Sequence, residues 1–272
     1  MHCVLLLNID MKQILDVKSI DTIEKNSIIL GDCLEVMPKI KDGSVDMILC
    51  DLPYARTQNR WDIIIPFEDL WREYNRVIKP NGCIALFADG MFMAELMISN
   101  KKMWRYNIVW DKVLPSGFLN ANKMPLRSHE EIVIFYKKPP TYNPQKIKGQ
   151  PNHSKGTTTK HTNNNYGKFE VVDNREELGD MKHPKSIWTF SKPHPSKMVH
   201  PTEKSLECIE CLIKTYTNEG DLVLDNCMGS GTTVLGAIKQ DRSYIGIEKN
   251  PEYFDIAVKK IENHMLGVEL YE

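Results

Sequence analysis

The sequence predicts an α/β protein with a doubly wound, mostly parallel sheet that carries helices on both faces. Short apolar runs typical of buried strands alternate along the chain with segments whose apolar residues have helical spacing. This alternation is typical of parallel strands joined by helices that cover both faces of the sheet. Two of the strand-like runs end in an acidic residue followed by a turn, which is where open α/β sheets bind ligands.

The composition indicates a soluble globular protein. The 272 residues are 42% apolar and 26% charged, and the longest apolar runs are too short to span a membrane. Residues 1–8 lack a basic leader and a small-residue cleavage site, which argues against a secretory signal. The seven cysteines are odd in number and several lie in apolar runs, as expected for reduced thiols in a cytosolic protein. Cys208 and Cys211 form a lone Cys-x-x-Cys pair, which predicts neither zinc nor redox chemistry, and we expect no metal.

The apolar periodicity gives the elements in order. We predict strands over 27–30, 45–50, 83–87, 106–110, 131–136, 222–225 and 244–248. We predict helices over 33–37, 67–78, 92–98, 202–217, 234–239 and 251–264. Pro38 is expected to stop the first helix, and Lys79-Pro80-Asn81-Gly82 has the composition of a turn.

Residues 137–180 have a different character, because Pro, Asn, Thr, Lys and Gly replace the large apolar residues. From Lys137 to Lys168 there are seven lysines and no acid, so this segment carries +7 and the other residues carry −8 of the net charge of −1. Such asymmetry favours contact with nucleic acid, and the alternative is a solvated loop without a partner. The predicted organisation is an N-terminal extension (1–26), two halves of one domain (27–136 and 184–272) and an insertion (137–183).

Asp51-Leu52-Pro53-Tyr54 directly follows the predicted strand at 45–50. An acid, a proline-fixed turn and an aromatic ring are thereby placed at the ligand-binding edge of the sheet. Without the other motifs, Asp51 could simply be a turn-forming aspartate before a proline. Tyr54 could likewise be an aromatic residue packed in the core.

A second motif, Asp225 to Thr233, begins at the end of a strand and opens a helix through Gly229-Ser230-Gly231. Glycines there permit a tight turn and the close approach of a ligand, and the helix N-terminus offers free N–H groups. Glu248 ends the next strand, where a carboxylate accepts hydrogen bonds from ribose hydroxyls in Rossmann-type sites. A phosphate-binding loop would need a lysine after the second glycine, where Thr232 stands. A dinucleotide-binding site would need a third glycine, where Val234 stands. The remaining alternative is a structural turn that binds no ligand.

Three segments, in this order along the chain, resemble the motifs of β-class DNA amino-methyltransferases. Asp51-Leu52-Pro53-Tyr54 is similar to their catalytic Asp-Pro-Pro-Tyr, with leucine in place of the first proline. His200-Pro201-Thr202-Glu203-Lys204 is similar to their His-Pro-Thr-x-Lys segment, and Asp225 to Thr233 to their Asp-Pro-Phe-x-Gly-Ser-Gly-Thr-Thr. The resemblance covers about residues 27–265, and Leu52 with Trp61-Asp62 resembles the phage and prophage branch.

The resemblance implies a Rossmann-like methyltransferase sheet with an inserted target-recognition region, in a cytoplasmic enzyme encoded by a bacterium or a phage. It implies S-adenosylmethionine (SAM) as cofactor, held by residues including Asp32 beside the adenine. The implied cofactor residues are Asp32, Cys33, Lys204, Asp225, Cys227, Met228, Gly229, Gly231, Thr232, Thr233 and Glu248. Asp32 has a second interpretation as the N-cap of the helix that follows it, and both can hold.

The implied reaction is methylation of the N6 amine of a flipped adenine in double-stranded DNA, with Asp51, Leu52, Pro53 and Tyr54 as the catalytic residues. An acidic first residue favours adenine, because the cytosine-N4 enzymes of this family more often begin the motif with serine. The lysines expected to contact DNA phosphates are Lys137, Lys138, Lys146 and Lys148. Homodimers are frequent among similar enzymes, so self-association stays open.

Three other functions compete with this interpretation. The first is cytosine-N4 methylation of DNA. The second is methylation of a protein glutamine or of RNA, for which a related Asn/Asp-Pro-Pro-Tyr motif serves. The third is a DNA-binding module with a degenerate site. Product analysis separates the first, deletion of residues 140–180 tests the second, and SAM titration tests the third.

Overall fold

The computed structural model describes residues 21–54, 63–150, 180–192 and 204–267. The predicted loop around Trp61-Asp62, the His200–Glu203 segment and three of the insertion lysines (155, 160 and 168) lie outside the described residues. The chain divides into two compact units, one formed by the residues up to Asn143 and from Ser186, the other by Pro144–Lys185.

Strands and helices alternate along the described ranges. The strands are β1 (Ser27–Leu30), β2 (Val45–Asp51), β3 (Ile78–Ala88), β4 (Trp104–Ser116), β5 (Arg127–Phe135), β6 (Ile147–Lys148), β7 (Met181–Lys182), β8 (Ile187–Thr189), β9 (Leu222–Asp225) and β10 (Ser243–Glu248). The helices are α1 (Cys33–Val36), α2 (Phe67–Val77), α3 (Gly90–Ser99), α4 (Leu206–Tyr216), α5 (Thr232–Lys239) and α6 (Pro251–Met265). Met37–Lys39 and Phe118–Asn120 form short 3-10 turns. In the described part of the chain, no helix is long and apolar enough to cross a membrane.

The first unit is built on one sheet, which over the described residues has eight strands in the order β1-β10-β9-β2-β3-β5-β4-β8. Neighbours from β1 to β3 are parallel, β5 is antiparallel to both β3 and β4, and β8 is parallel to β4. The carboxyl ends of all these strands except β5 therefore lie at one edge of the sheet. The predicted doubly wound, mostly parallel α/β fold is confirmed.

Along each strand, successive side chains point to opposite faces of the sheet, and each face carries its own apolar core. On β2, Ile48 and Cys50 pack in the core that includes residues of α1, α2 and α3, whereas Met47 and Leu49 pack in the core with α4, α5 and α6. All four side chains are fully buried. A strand covered on both faces cannot alternate apolar with polar residues, which explains the continuously apolar run seen in the sequence.

The chain reverses its winding direction between β2 and β9. From β2 the chain passes through α2 to its neighbour β3, whereas from β9 it passes through α5 to β10, on the other side. Connections that leave two adjacent strands in opposite directions open a crevice at their carboxyl ends, which is where α/β sheets bind ligands. Asp51 ends β2 and Asp225 ends β9, so this switch point brings the two sequence motifs together.

The turn predicted at Lys79–Gly82 is wrong. These residues belong to β3, where the pairing with β2 shifts from Val45↔Ile78 to Met47↔Cys83, so that the extra residues bulge opposite Asp46. Lys79 ion-pairs with Asp46 at 2.6 Å, and a side chain at position 82 would meet the Asp46 carbonyl oxygen at 2.8 Å. Pro-Asn-Gly chemistry is typical of bulges as well as of turns.

The second unit begins at Pro144 and not at Lys137, the predicted start of the insertion. Asn143 is fixed to the end of α4: its amide N–H donates to the carbonyl of Thr215 at 2.8 Å and its side chain to that of Thr217 at 3.0 Å. Within the second unit, β6 and β7 pair antiparallel, with Ile147 opposite Lys182.

Candidate active site

A cavity of about 820 Å³ opens at the carboxyl edge of the sheet, within the usual size range of ligand pockets. Every residue predicted to be catalytic lines it, and so does every residue predicted to bind the cofactor except Gly231. These lining residues are Asp32, Cys33, Asp51, Leu52, Pro53, Tyr54, Lys204, Asp225, Cys227, Met228, Gly229, Thr232, Thr233 and Glu248. The fold thus brings together motifs that stand more than 150 residues apart in the sequence.

The Asp51 carboxylate is held by two groups. Its Oδ1 accepts a hydrogen bond from the Tyr54 hydroxyl at 2.7 Å, and its Oδ2 lies 2.7 Å from Lys204 Nζ. The side chain remains 27% exposed toward the cavity. Each carboxylate oxygen has a second lone pair, so Asp51 keeps the capacity to accept a hydrogen bond from a ligand.

Lys204 joins Asp51 to a buried cluster of charges that the motifs did not predict. Its ammonium lies 3.0 Å from Glu130 Oε2, and Glu130 Oε1 accepts from Lys112 at 3.1 Å with Lys192 at 3.8 Å. The side chains of Lys112, Glu130 and Lys204 are 2%, 11% and 9% exposed. Three cations and two carboxylates therefore share a region with little water, where their attraction is weakly screened.

The cluster fixes the ionisation of Glu130 and Lys204. Burial by itself would raise the pKa of Glu130, but Lys204, Lys112 and Lys192 outweigh it and hold that pKa at about 2. Burial would likewise lower the pKa of Lys204, whereas Asp51 and Glu130 raise it above its ordinary value. Both groups stay charged near neutral pH, which keeps the Lys204 ammonium fixed beside the Asp51 carboxylate.

Tyr54 presents an aromatic ring to the cavity and is supported from behind. The ring stacks on Phe92 with centroids 4.6 Å apart and planes inclined by 28°, while its hydroxyl is held by Asp51. Lys204 Nζ also lies 6.0 Å from the centroid of this ring, and Tyr54 lines the cavity.

Leu52 and Pro53 continue the chain between Asp51 and Tyr54. The Leu52 side chain is 4% exposed and packs in the core with α1, α2 and α3. A leucine at this position is therefore accommodated by packing, and the group it can offer to the cavity is its backbone.

Asp225, the last residue of β9, lines the cavity and precedes the glycine-containing turn. Asp225 Oδ1 accepts from the Cys227 amide at 3.0 Å, and burial raises the pKa of this carboxyl group to about 6. Gly231, the N-cap of α5, has φ 79°, and a side chain there would lie 2.9 Å from Ala257 Cβ on α6. We predicted that the glycines allow a ligand to approach, but at Gly231 the missing side chain makes room for α6.

Glu248 and Asp32 lie at the carboxyl ends of the next two strands. Glu248 Oε2 accepts from the Gly229 amide at 2.8 Å and its Oε1 from the Asn250 amide at 2.7 Å. Asp32 caps α1 by accepting from the Leu34 amide at 2.9 Å, so its predicted N-cap role is observed in the structure, and Lys249 Nζ lies 2.8 Å from its Oδ2. Both acids also line the cavity, where their remaining lone pairs can accept hydrogen bonds from a ligand.

The thiols of Cys33 and Cys227 line the cavity, and Cys50 lies in the adjoining core. Hydrogen bonding with Cys227 and burial raise the pKa of the Cys33 thiol, and burial raises that of Cys50 to about 12. These thiols are protonated near neutral pH and are poor nucleophiles. Cys33 and Cys227 contribute shape to the cavity rather than covalent chemistry.

The structure does not bring Lys137 and Lys138 to the cavity. They follow β5, the antiparallel strand, and therefore lie at the amino edge of the parallel strands. Lys138 N donates to the Pro80 carbonyl at 3.3 Å, and Lys137 Nζ to the Asn75 carbonyl at 2.9 Å. Lys146 and Lys148 lie in the second unit, where Lys148 ion-pairs with Asp180 at 3.4 Å.

The family and relatives of the chain are consistent with this geometry. The model of the N6/N4 DNA methylase family matches residues 45–259. The chain is 29% identical to the type II methyltransferase M2.DpnII of Streptococcus pneumoniae, with 88% of this chain and 91% of that protein covered. It is 30% identical to the type II methyltransferase M.BglII of Bacillus subtilis, with 85% and 68% covered.

Solved structures also match. The M1.HpyAVI–SAM complex superposes with a TM-score of 0.57 at 25% identity, covering 86% of this chain and 98% of that one. The cytosine-N4-specific PvuII DNA methyltransferase gives a TM-score of 0.63 at 17% identity, with 91% and 95% covered. The second likeness concerns the fold alone.

Proposed function

Because the chain belongs to the N6/N4 DNA methylase family, we propose that it methylates the N6 amine of an adenine flipped out of duplex DNA. The chain is a SAM-dependent DNA methyltransferase related to type II modification enzymes. The choice of adenine rests on the acidic residue, Asp51, that begins the catalytic motif. The observation that carries the proposal is the Asp51 carboxylate at the switch point, in one cavity with Asp225 and Glu248.

The cavity fits SAM. Acidic acceptors for the adenosine lie along the carboxyl ends of β1, β10 and β9, as Asp32, Glu248 and Asp225. We assign Glu248 to the ribose hydroxyls and Asp32 to the adenine, each through the lone pairs left by its backbone hydrogen bonds. SAM supplies an electrophilic methyl group on a positively charged sulfur. No residue of this chain needs to become covalently attached to the substrate.

Asp51 and the Leu52 carbonyl act on the target amine. The lone pair of an exocyclic amine is delocalised into the base, so the nitrogen is a poor nucleophile. Two acceptors on its N–H groups favour tetrahedral geometry and free the lone pair for attack. Pro53 holds Leu52 in an extended conformation, which directs its carbonyl. The Asp51 side chain, held by Lys204, also stabilises the positive charge that develops on the amine.

Tyr54 receives the base. Extrusion from the duplex costs about a few kcal/mol, and stacking on an aromatic ring returns about 1–3 kcal/mol. Phe92 behind the ring keeps Tyr54 in place, and this positioning of the base adds to the effect of the two acceptors on the amine. Lys146 and Lys148 are proposed to contact phosphates.

Expression in a host that lacks DNA methylation tests the proposal. Genomic DNA is digested to nucleosides and analysed by mass spectrometry, and the modified sites are sequenced. We expect N6-methyladenine at one short sequence and none with Asp51→Ala. N4-methylcytosine without N6-methyladenine would overturn the choice of base, and unmodified DNA from soluble, SAM-binding protein would overturn the proposed function.

A further inference from the structure

The β4–β5 hairpin tip, residues 113–124, exposes a cluster of large apolar side chains. Leu119 is 99% exposed and Phe118 67%, and Met124, Val113 and Leu114 are 58%, 53% and 44% exposed. Five large apolar side chains exposed within twelve residues are typical of an interaction surface.

The tip lies on the same side of the sheet as the cavity. Glu131 on β5 pairs with Ala88, the last residue of β3, and with Val109 on β4, so both strands of the hairpin extend past the carboxyl end of β3. Arg127, which pairs with Ser116 at the base of the tip, lines the cavity and is ion-paired with Asp89. The tip therefore projects past the carboxyl edge of the sheet, beside the cavity.

The tip has an ordered backbone, so its apolar side chains are held away from the core. Gly117 has φ 93°, which turns the chain into the 3-10 turn Phe118–Asn120. The amide of Asn120 donates to the Gly117 carbonyl at 2.9 Å, and the amides of Lys123 and Met124 donate to the Asn120 carbonyl at 2.8 and 3.0 Å. A surface ordered before binding loses little conformational entropy when a partner covers it.

The charge around the tip suits a polyanion. No acidic residue stands between Asp111 and Glu130, and Lys123 and Arg127 are exposed within that span. Proteins that kink or open DNA insert apolar side chains between base steps and place cations on the flanking phosphates. When a base is extruded from duplex DNA, it leaves a gap beside the base with which it was paired, and an apolar side chain can fill that gap.

On the basis of the proposed function, we propose that the hairpin tip is a wedge that enters duplex DNA at the target base pair, with Leu119 and Phe118 filling the space vacated by the extruded base. The wedge stabilises the open DNA and has no contact with the reacting atoms. It therefore matters only when the target base must first be unpaired and unstacked.

Two substrates and one substitution test the wedge. After the recognition sequence has been read from methylated DNA, one duplex carries the target base paired and a second carries an abasic site opposite it. On the paired duplex we expect Leu119→Ala to lower the single-turnover rate about tenfold or more, the effect of one buried leucine side chain. On the second duplex, where opening is cheap, we expect rates within about twofold of wild type. Leu119→Met, which keeps the apolar volume, retains the wild-type rate on both.

Leu266→Ala is the matched control. Leu266 is 76% exposed and follows α6, which starts at the cavity and runs to the other edge of the sheet, so this variant is expected to match wild type on both duplexes. Equal losses of Leu119→Ala on the two duplexes, or no loss on either, would overturn the wedge. A shift of Leu119→Ala from dimer to monomer in sedimentation, with the same loss on both duplexes, would instead assign the tip to a second copy of the chain. Wild-type protein that methylates neither duplex would refute the proposed function, a result distinct from all of these.

Discussion

Asp51→Asn removes the negative charge from the proposed catalytic carboxylate and leaves its volume unchanged. In the wild-type site one carboxylate oxygen faces the Tyr54 hydroxyl and the other faces Lys204 Nζ, each at 2.7 Å. The amide oxygen of asparagine will face the ammonium of Lys204, because the amide nitrogen is a donor and would repel it. Its nitrogen then occupies the other position, where the substrate amine needs an acceptor.

The expected loss in methyl transfer is large. Loss of one preorganised charged partner of the reacting group costs about 10²–10³-fold in rate, or about 3–4 kcal/mol. The fold should survive, because Lys204 keeps Glu130 at 3.0 Å and the Asp51 side chain is partly exposed. Single-turnover transfer of radiolabelled methyl groups to duplex DNA measures the rate, and calorimetric titration measures the affinity for SAM. We expect a large fall in the rate and little change in the dissociation constant of SAM.

Asp46→Asn provides the control on the same strand. Asp46 lies toward the amino end of β2, pairs with Lys79 at 2.6 Å and accepts from the Leu222 amide at 3.0 Å. Its substitution removes the same charge far from the cavity and should leave methyl transfer near the wild-type rate. If Asp51→Asn weakened SAM binding as strongly as it slowed transfer, or if both variants lost the same activity, the assignment of Asp51 to the target amine would be refuted.

Glu130→Gln leaves Lys112, Lys192 and Lys204 with Asp51 as the remaining carboxylate of the cluster, and should cost about 3–5 kcal/mol of unfolding free energy at pH 7. Since the folded pKa of Glu130 is about 2 against an ordinary 4.5, urea denaturation should show this difference shrinking as pH falls from 4.5 toward 2, and a constant difference would contradict the prediction. Asp225→Asn should be more stable than wild type above pH 6 by up to about 3 kcal/mol, because the folded pKa of about 6 against 3.8 makes the wild type lose stability between those pH values. Equal urea midpoints of Asp225→Asn and wild type at pH 8 would contradict the predicted cost of burying the ionised Asp225 carboxylate. Gly231→Ala should lower the melting temperature more than Gly43→Ala, because both glycines have positive φ but only the first substitution adds a methyl group 2.9 Å from Ala257. Equal melting temperatures of the two variants would show that the contact with Ala257 does not affect stability.

The sequence was sufficient for the fold because buried strands and amphipathic helices leave strong periodic patterns. The strand bounds at 27–30 and 222–225 agree with β1 and β9, and α2 ends one residue earlier than predicted. The error at Lys79–Gly82 has a local cause: a proline, an asparagine and a glycine suit a turn and a bulge equally well, and only the pairing partner, Asp46 on β2, distinguishes them.

The motif residues were predictable for a different reason. In a sheet of parallel strands, an acid at the end of a strand lies at the carboxyl edge. The alternation of strands and helices predicted such a sheet, so Asp51, Asp225 and Glu248 could be placed on a common edge from the sequence alone. Their exact roles at the cofactor and the base remain predictions. The phage and prophage branch suggested by Leu52 also remains a prediction.

The buried charge cluster could not be derived in this way, because its members come from four separate segments. Glu130 stands in the polar first half of β5, so its sequence neighbours do not mark it as buried. A buried carboxylate requires a cation, but no local pattern shows that Lys112, Lys192 and Lys204 supply it. Likewise, the exposure of Leu119 depends on the register that carries β4 and β5 beyond β3.

Lys204 gives the two halves of the chain a physical connection at the site. The motif that contains it was expected beside SAM, and the structure places its ammonium on Asp51 and Glu130. Lys204 lies just before α4, while Asp51 ends β2. Placement of the proposed catalytic carboxylate therefore requires the downstream half of the chain to be folded against the upstream half. A lysine in this position can therefore influence methyl transfer without contacting the cofactor. The separate measurements of transfer rate and SAM affinity proposed for Asp51 would, applied to Lys204→Met, distinguish a positioning residue from a cofactor ligand.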